Sequence, residues 1–136
     1  MDYEKFTQKT IEALSEAQKF AIKMNHQQVD VEHLLLALLG QPEGLIPSIL
    51  QKMGINETKA INRCEEELNK RPKITGQGAD NGSLYSTQRM QKVLLKAEEY
   101  MKSYKDSYLS VEHLFLAIID TIEWLKDYGI NKKEFE

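Results

Sequence analysis

The chain has 136 residues, of which 41% are apolar and 29% charged, so it is not an intrinsically disordered polypeptide but one domain, or two small units sharing a core. Its net charge of −3 is spread without a block of one sign, which argues against nucleic-acid and membrane-surface roles. No apolar run approaches the ~20 residues of a membrane span, and the N-terminus lacks the apolar core of a signal peptide. Because the one cysteine, Cys64, cannot form an internal disulfide, we expect a cytoplasmic protein.

The first half of the chain has the apolar spacing and capping residues of a helical unit. Thr7 and Asp30 precede runs with helical periodicity and suit N-cap positions, whereas Gly54 suits the position just after a helix. The run that follows Asp30 is apolar on every side beyond its first turn, so that helix should be buried. We predict helices over residues 7–24, 31–39, 45–53 and 57–69.

The second half is predicted to repeat this order after a linker that spans residues 70–86 and contains Pro72 and three glycines, Gly76, Gly78 and Gly82. Thr87 and Ser110 are the expected caps of its first two helices. A short third helix is predicted over 122–128, and a last helix would begin at Asn131 with no room to finish. No sheet is expected beyond a short extended pairing in the linker.

An internal repeat is the strongest signal in the sequence. Residues 31–39 return as residues 111–119 with six of nine positions identical, and the offset of 80 holds without a gap back to Thr7, giving 10 identities over 33 positions. Gly-Ile-Asn at 54–56 returns at 129–131, at an offset of 75. The sequence therefore predicts an all-α fold: one domain over 1–136 made of two four-helix units related by a pseudo-twofold axis. Repeat one would span about 4–69 and repeat two 87–136, shortened. The most buried residues should include Leu34, Leu36, Leu38, Leu114, Leu116 and Ile118.

Catalytic and metal-binding signatures are absent from the sequence. There is no phosphate-binding loop, the linker glycines do not match a dinucleotide fingerprint, and the histidines and Cys64 lack zinc-ligand spacing. A catalytic site is also rarely duplicated in both halves of a repeat. We expect a non-enzymatic module with no catalytic residue, metal or cofactor. His33 and His113, both in a first helical turn, are expected to bond to backbone or to pack against the preceding helix.

The duplicated glutamates and threonines have two interpretations. Glu32 and Glu112 could simply complement the positive end of a helix dipole, and Thr7 and Thr87 could simply be N-caps. Alternatively, each carboxylate could face a groove and pair with a cationic ligand group, while the helix N-terminus beside each threonine binds an anion.

The tandem Val-Glu-His-Leu-x-Leu-Ala helices, each about 25 residues after a Thr-Gln cap, resemble the Clp N-terminal repeat domain, which leads the Clp family of AAA+ unfoldases and disaggregases. The resemblance covers residues 3 to about 131. The linker segment Leu-Asn-Lys-Arg-Pro followed by Gly-Gln-Gly, within residues 68–78, is similar to the ClpB branch of that family. The ClpC branch has similar helices but a different linker.

The resemblance implies a domain that captures unfolded or aggregated polypeptide for threading by a downstream ATPase ring. Substrate-contacting positions of the ClpB branch match Thr7, Asp106 and Glu112, and we expect Tyr3 and Phe6 to add exposed apolar contact area. An adaptor protein is the alternative partner. The isolated domain should be a monomer, the parent protein a hexamer, and ATP with Mg²⁺ should bind only to downstream modules.

The ClpC branch implies a different ligand for the same residue types. Its paired threonines and glutamates form sites for phosphorylated arginine, and Thr7, Glu32, Thr87 and Glu112 match that pattern. We considered two equivalent sites, one formed by Thr7 with Glu32 and the other by Thr87 with Glu112. The ClpB-like linker favours the simpler role of both glutamates at their helix ends.

Overall fold

A computed structural model describes residues 3–73 and 84–135, and the described chain is predominantly helical. Short 3-10 segments cover Tyr3–Lys5 and Glu123–Tyr128, and two short strands are present. The strands are β1 (Gln28–Val29) and β2 (Tyr85–Ser86). The helices are α1 (Gln8–Lys23), α2 (Val31–Leu39), α3 (Leu45–Lys52), α4 (Glu57–Asn69), α5 (Gln88–Ser103), α6 (Val111–Thr121) and α7 (Lys132–Phe135).

The helix ends follow the predicted capping chemistry. The Thr7 hydroxyl accepts a hydrogen bond from the Thr10 amide at 3.2 Å, and the Thr87 hydroxyl accepts one from the Met90 amide at 3.0 Å. Because these side chains satisfy amides that have no partner within the helix, they fix where α1 and α5 begin. Gly129 has a φ of +82°, the left-handed conformation expected of a residue that terminates a helical segment.

Helices α2 and α6 form the centre of the domain. Each packs against the first helix of its own repeat, and the two also contact each other. The face of α1 that meets α2 carries alanines with no exposed surface, which allows a close approach. The predicted core is confirmed: buried residues include Leu34, Leu36, Leu38, Leu114, Leu116 and Ile118.

Repeat two departs from repeat one after its second helix. The predicted third helix is a 3-10 segment, Glu123–Tyr128, and the fourth is the single turn α7. Helix α6 has 11 residues, whereas α2 has 9, so fewer residues remain between α6 and Gly129 to form the third element. The short α7 is held by Phe135, whose ring lies 4.9 Å from that of Phe115 between centroids.

The two repeats are joined by extended segments that cross between them. Strands β1 and β2 run parallel with Gln28 opposite Tyr85 and Val29 opposite Ser86, and the twin of this pairing is a bridge between Phe6 and Leu109. The predicted extended pairing thus involves the linker through β2 only. Residues 74–83, which include Gly76, Gly78 and Gly82, lie outside the described residues. Within the described chain, no helix has the length and apolar character to cross a membrane.

Candidate functional site

The crossing segments place the start of each repeat's first helix beside the second helix of the other repeat. The Thr7 amide donates to the Leu109 carbonyl at 3.1 Å, and the Thr87 amide donates to the Val29 carbonyl at 3.1 Å. Leu109 and Val29 each lie two residues before a second helix. Thr7 therefore lies on the same side of the domain as Glu112, and Thr87 on the same side as Glu32. The pairing within each repeat, which we considered only as an alternative to the simpler helix-end role, is not found, because sequence proximity does not reveal which second helix the chain crosses to.

Thr7 and Glu112 line one surface pocket of about 490 Å³ between α1, α3 and α6. Leu45, at the start of α3, lines the same pocket and is 43% exposed. The Glu112 carboxylate is exposed and has no ion-pair partner among the described residues. This pocket combines an available carboxylate with an apolar wall and can accept a ligand that carries both cationic and apolar groups.

Asp106 and Glu112 line an adjoining pocket of about 460 Å³. The Asp106 carboxylate pairs with Nε2 of His113 at 2.8 Å, while His113 Nδ1 accepts the Ser110 amide at 2.9 Å. Tyr104, which is 46% exposed, stacks on the His113 ring and adds to the apolar surface of this pocket. The three residues that the sequence assigned to substrate contact thus line two pockets that meet at Glu112.

Glu32 lies in a different environment, an ion network at the joint between the repeats in which the carboxylates are buried and the guanidinium groups reach solvent. Its carboxylate bonds to Arg71 at 2.7 Å and to Arg89 at 3.1 and 3.2 Å. Asp30 bonds to the same two guanidinium groups, each at 2.7 Å, and accepts the Thr87 hydroxyl at 2.6 Å. Burial alone would raise the pKa of Asp30, but these hydrogen bonds hold it below its ordinary value.

The two glutamate sites are consequently not equivalent. Positions 80 residues apart carry Asp30 and Ser110 at the cap, and Arg89 where repeat one has Lys9. Lys9 bonds instead to the Pro42 carbonyl at 3.1 Å. Guanidinium groups of the chain itself already occupy the Glu32 carboxylate, so the hypothesis of two equivalent ligand sites fails at Glu32. The sequence analysis missed Arg71 and Arg89. For Arg89 a signal was available, because it stands 80 residues after Lys9, where repeat one has a lysine.

His33 and His113 bond to the backbone, as predicted. His33 Nδ1 accepts the Asp30 amide at 2.9 Å, in the same way that His113 caps its own helix. Since that nitrogen carries no proton, Nε2 of His33 is the protonated nitrogen, and it donates to His26 Nδ1 at 2.9 Å. Burial, followed by the charges of His26 and Arg71, lowers the pKa of His33 to about 4.

The expectation of exposed aromatic side chains at the N-terminus needs correction. Phe6 is only 6% exposed, because its backbone pairs with Leu109 and its ring joins the core. It therefore offers no free contact area. Tyr3 lies in the first 3-10 turn, and its side chain lies outside the described residues. The exposed large apolar side chains that line the pockets are Leu45 and Tyr104, which the sequence analysis did not single out.

Metal and thiol chemistry find no support in the geometry. Among residues 3–73 and 84–135, no group of three or more histidine, cysteine or carboxylate side chains is placed to hold a metal ion. Cys64 is fully buried and contacts the Glu32 carbonyl at 3.0 Å, and burial raises the pKa of its thiol. Cys64 is therefore a core residue of low reactivity.

We expect Glu32→Gln to destabilise the domain, whereas Glu112→Gln should leave it nearly unchanged. Removing the Glu32 charge leaves Arg71 and Arg89 short of a partner; since both guanidinium groups reach solvent, the expected loss is about 1–3 kcal/mol. The exposed Glu112 should change the free energy of unfolding by less than about 0.5 kcal/mol. Urea unfolding of both variants measures this, and equal losses would contradict the assigned difference between the twins.

Comparison with known proteins gives one family. The chain matches the Clp repeat (R) N-terminal domain over residues 5–127. It is 44% identical to the chaperone protein ClpB of Clostridium tetani over 140 aligned positions, which cover 99% of this chain and 16% of that protein. The chain therefore spans about one sixth of its relative's length.

Solved structures share the fold at low identity. The Hsp104 N-terminal domain from Candida albicans matches with a TM-score of 0.80 at 20% identity, covering 96% of this chain and 85% of that one. A ClpV N-domain solved in complex with a VipB peptide matches with a TM-score of 0.68 at 20% identity, covering 96% of this chain and 81% of that one. These matches confirm the all-α N-domain fold.

Proposed function

The chain belongs to the Clp repeat (R) N-terminal domain family, and from this premise we propose that it is the substrate-binding domain of a ClpB-type chaperone. In this proposal it captures unfolded or aggregated polypeptide in the cytoplasm and passes it to ATPase modules outside this chain. ATP and Mg²⁺ would bind to those modules, and their ring, expected to be hexameric, would do the threading. The domain itself contributes binding only.

The observation that carries the proposal is the pair of pockets that meet at Glu112. Leu45 and Tyr104 place apolar surface in contact with solvent, one in each pocket, and the carboxylate between them is unpaired among the described residues. Exposed apolar surface beside polar groups is typical of protein-interaction sites. Open pockets of this kind suit transient contact with non-native chains, which the domain must release.

Docking of a folded adaptor protein is the second candidate. The ClpV N-domain related to this chain was solved with a peptide of VipB, so this fold can present a site to a defined protein segment. An adaptor would require complementarity to a fixed surface, whereas unfolded substrate requires only apolar and charged groups in an extended chain. The two candidates therefore differ in whether an unfolded polypeptide without an adaptor binds.

We expect Thr7→Ala, Asp106→Ala and Glu112→Ala each to weaken binding of a permanently unfolded, carboxymethylated polypeptide by roughly two- to tenfold, since each removes contact from a weak site. Amide-shift titration gives the dissociation constant, and circular dichroism checks that helicity is retained. Glu66→Ala and Asp127→Ala, on exposed positions away from the pockets, are the matched controls. Parent-like binding by all three pocket variants would show that the site lies elsewhere.

A further inference from the structure

We propose that the binding surface continues past Thr7 into a third pocket along α1, so that an extended polypeptide segment binds across three adjoining pockets. This inference rests on the proposed function and specifies its substrate: a segment with spaced apolar side chains flanked by arginine or lysine. The third pocket, the α1 pocket, is lined by Ile11, Glu16, Phe20 and Gln41.

Neighbouring pockets share lining residues, so the three pockets adjoin one another. Glu112 lines both the pocket that contains Asp106 and the pocket that contains Thr7. Gln8, in the first turn of α1, lines both the Thr7 pocket and the α1 pocket. A chain that occupies the Thr7 pocket therefore lies next to the α1 pocket at Gln8, and in this proposal it continues there along α1.

Each pocket on this path has one exposed large apolar side chain. Tyr104 is 46% exposed, Leu45 is 43% exposed and Ile11 is 42% exposed. Each lines a different one of the three pockets. Because side chains in an extended segment recur at regular spacing, a path with apolar surface at intervals suits an extended chain better than a single small molecule.

The α1 pocket also contains an acceptor that lacks a donor. Gln41 is only 8% exposed, and its Nε2 donates to the Lys9 carbonyl at 3.0 Å. Its Oε1 has no hydrogen-bond partner among the described residues. A buried acceptor without a donor costs free energy, and a turn of the Gln41 side-chain amide towards the pocket would let an N–H group of a bound peptide remove this cost.

The α1 pocket belongs to repeat one, and in repeat two a cluster of polar side chains stands at the corresponding positions. Glu16, Phe20 and Gly40 correspond, 80 residues later, to Lys96, Tyr100 and Asp120. Lys96 and Asp120 pair at 3.6 Å, and the Tyr100 hydroxyl donates to Asp120. In repeat one neither partner of this cluster is present, because glycine replaces the aspartate and glutamate replaces the lysine. The α1 pocket has a volume of about 540 Å³.

The charges along the path define the flanking residues of the ligand. The three pockets are lined by five carboxylates and two ammonium groups: Glu12, Glu16, Glu43, Asp106 and Glu112 against Lys9 and Lys19. Glu16 is half-buried with no ion-pair partner in the described chain, and Lys9 is already held by Glu12 and the Pro42 carbonyl. Basic flanking residues would be attracted by this excess of negative charge, and acidic ones repelled.

The test uses two flexible peptides with the same spaced leucines, one flanked by arginines and the other by glutamates. The arginine peptide should bind parent domain at least threefold more tightly than the glutamate peptide. Ile11→Ser and Glu16→Gln should each raise its dissociation constant roughly three- to tenfold, a loss of about 1 kcal/mol of contact each. Ile22→Ser, on the same helix but 56% exposed outside the pockets, is the matched control. The side-chain amide resonances of Gln41 should shift on peptide binding.

The outcomes separate this inference from the proposed function. If Ile11→Ser and Glu16→Gln bind as parent does while Glu112→Ala weakens binding, the α1 pocket is not part of the surface and the proposed function stands. If none of the three weakens binding, both proposals fail. Equal affinity for the arginine and glutamate peptides would overturn the charge preference.

Discussion

Replacing Leu36 by alanine should lower the free energy of unfolding by about 2–5 kcal/mol, because a buried leucine loses both its apolar transfer energy and its packing contacts. Leu36 is on α2, the helix that α1, α3 and α4 all contact, and its side chain is only 7% exposed. The neighbouring leucines Leu35 and Leu38 are fully buried and hold α2 in place, so the space left by the substitution should close only partly.

Leu95→Ala is the matched control for this prediction. The same chemical change on α5 affects a side chain that is 58% exposed, so its cost should be below about 0.5 kcal/mol. Urea unfolding followed by circular dichroism measures both variants. A loss below about 1 kcal/mol for Leu36→Ala would show that α2 is not the core of its repeat.

The helical architecture was predictable because its signals are local. Capping by Thr7 and Thr87 depends on a side chain and an amide three residues away, and the apolar run of α2 fixes its burial wherever it packs. The internal repeat added a second, independent copy of each signal. The 3-10 form of Glu123–Tyr128 was not predictable, because it depends on how many residues lie between the end of α6 and Gly129.

The site was predicted less well because its contacts are long-range. Glu32 meets Arg71 and Arg89, which are 39 and 57 residues away, and the sequence does not reveal which carboxylate these arginines reach. The exposure of Phe6 was misjudged for the same reason, since only the crossing to Leu109 buries it. The resemblance supplied Thr7, Asp106 and Glu112, and the structure adds that all three line adjoining pockets.

Lowering the pH from 7 to 4 should cost the domain up to about 3 kcal/mol of stability through the hydrogen-bonded pair of His33 and His26, since burial lowers the pKa of His33 from 6.5 to about 4. The folded domain resists protonation that the unfolded chain accepts, so this contribution is fully present above pH 6.5 and is lost as the pH falls towards 4. His26, whose pKa is also lowered by burial, acts in the same direction. The pKa of Asp30 is also lowered, so this carboxylate adds a further loss of stability once the pH falls below the ordinary pKa of an aspartate.

His33→Gln isolates this contribution. A glutamine can accept from the Asp30 amide through its oxygen and donate through its nitrogen, but it does not titrate. Urea unfolding at several pH values between 7 and 4 should therefore show a shallower loss for the variant than for the parent. If both lose the same stability over this range, surface carboxylates and not the buried histidine pair dominate the acid response.

The acid response should begin at the joint between the repeats. Protonated His33 can no longer accept the Asp30 amide, and Asp30 is the residue that holds Thr87 and both guanidinium groups of the ion network. Arg71 and Lys73 add positive charge beside the histidine pair, so a new positive charge there is repelled. At pH 5 the Thr87 amide, bonded to Val29, should consequently exchange with solvent faster than its twin at Thr7. Equal acceleration of the two amides between pH 7 and 5, after correction for intrinsic exchange, would place the acid-sensitive step elsewhere.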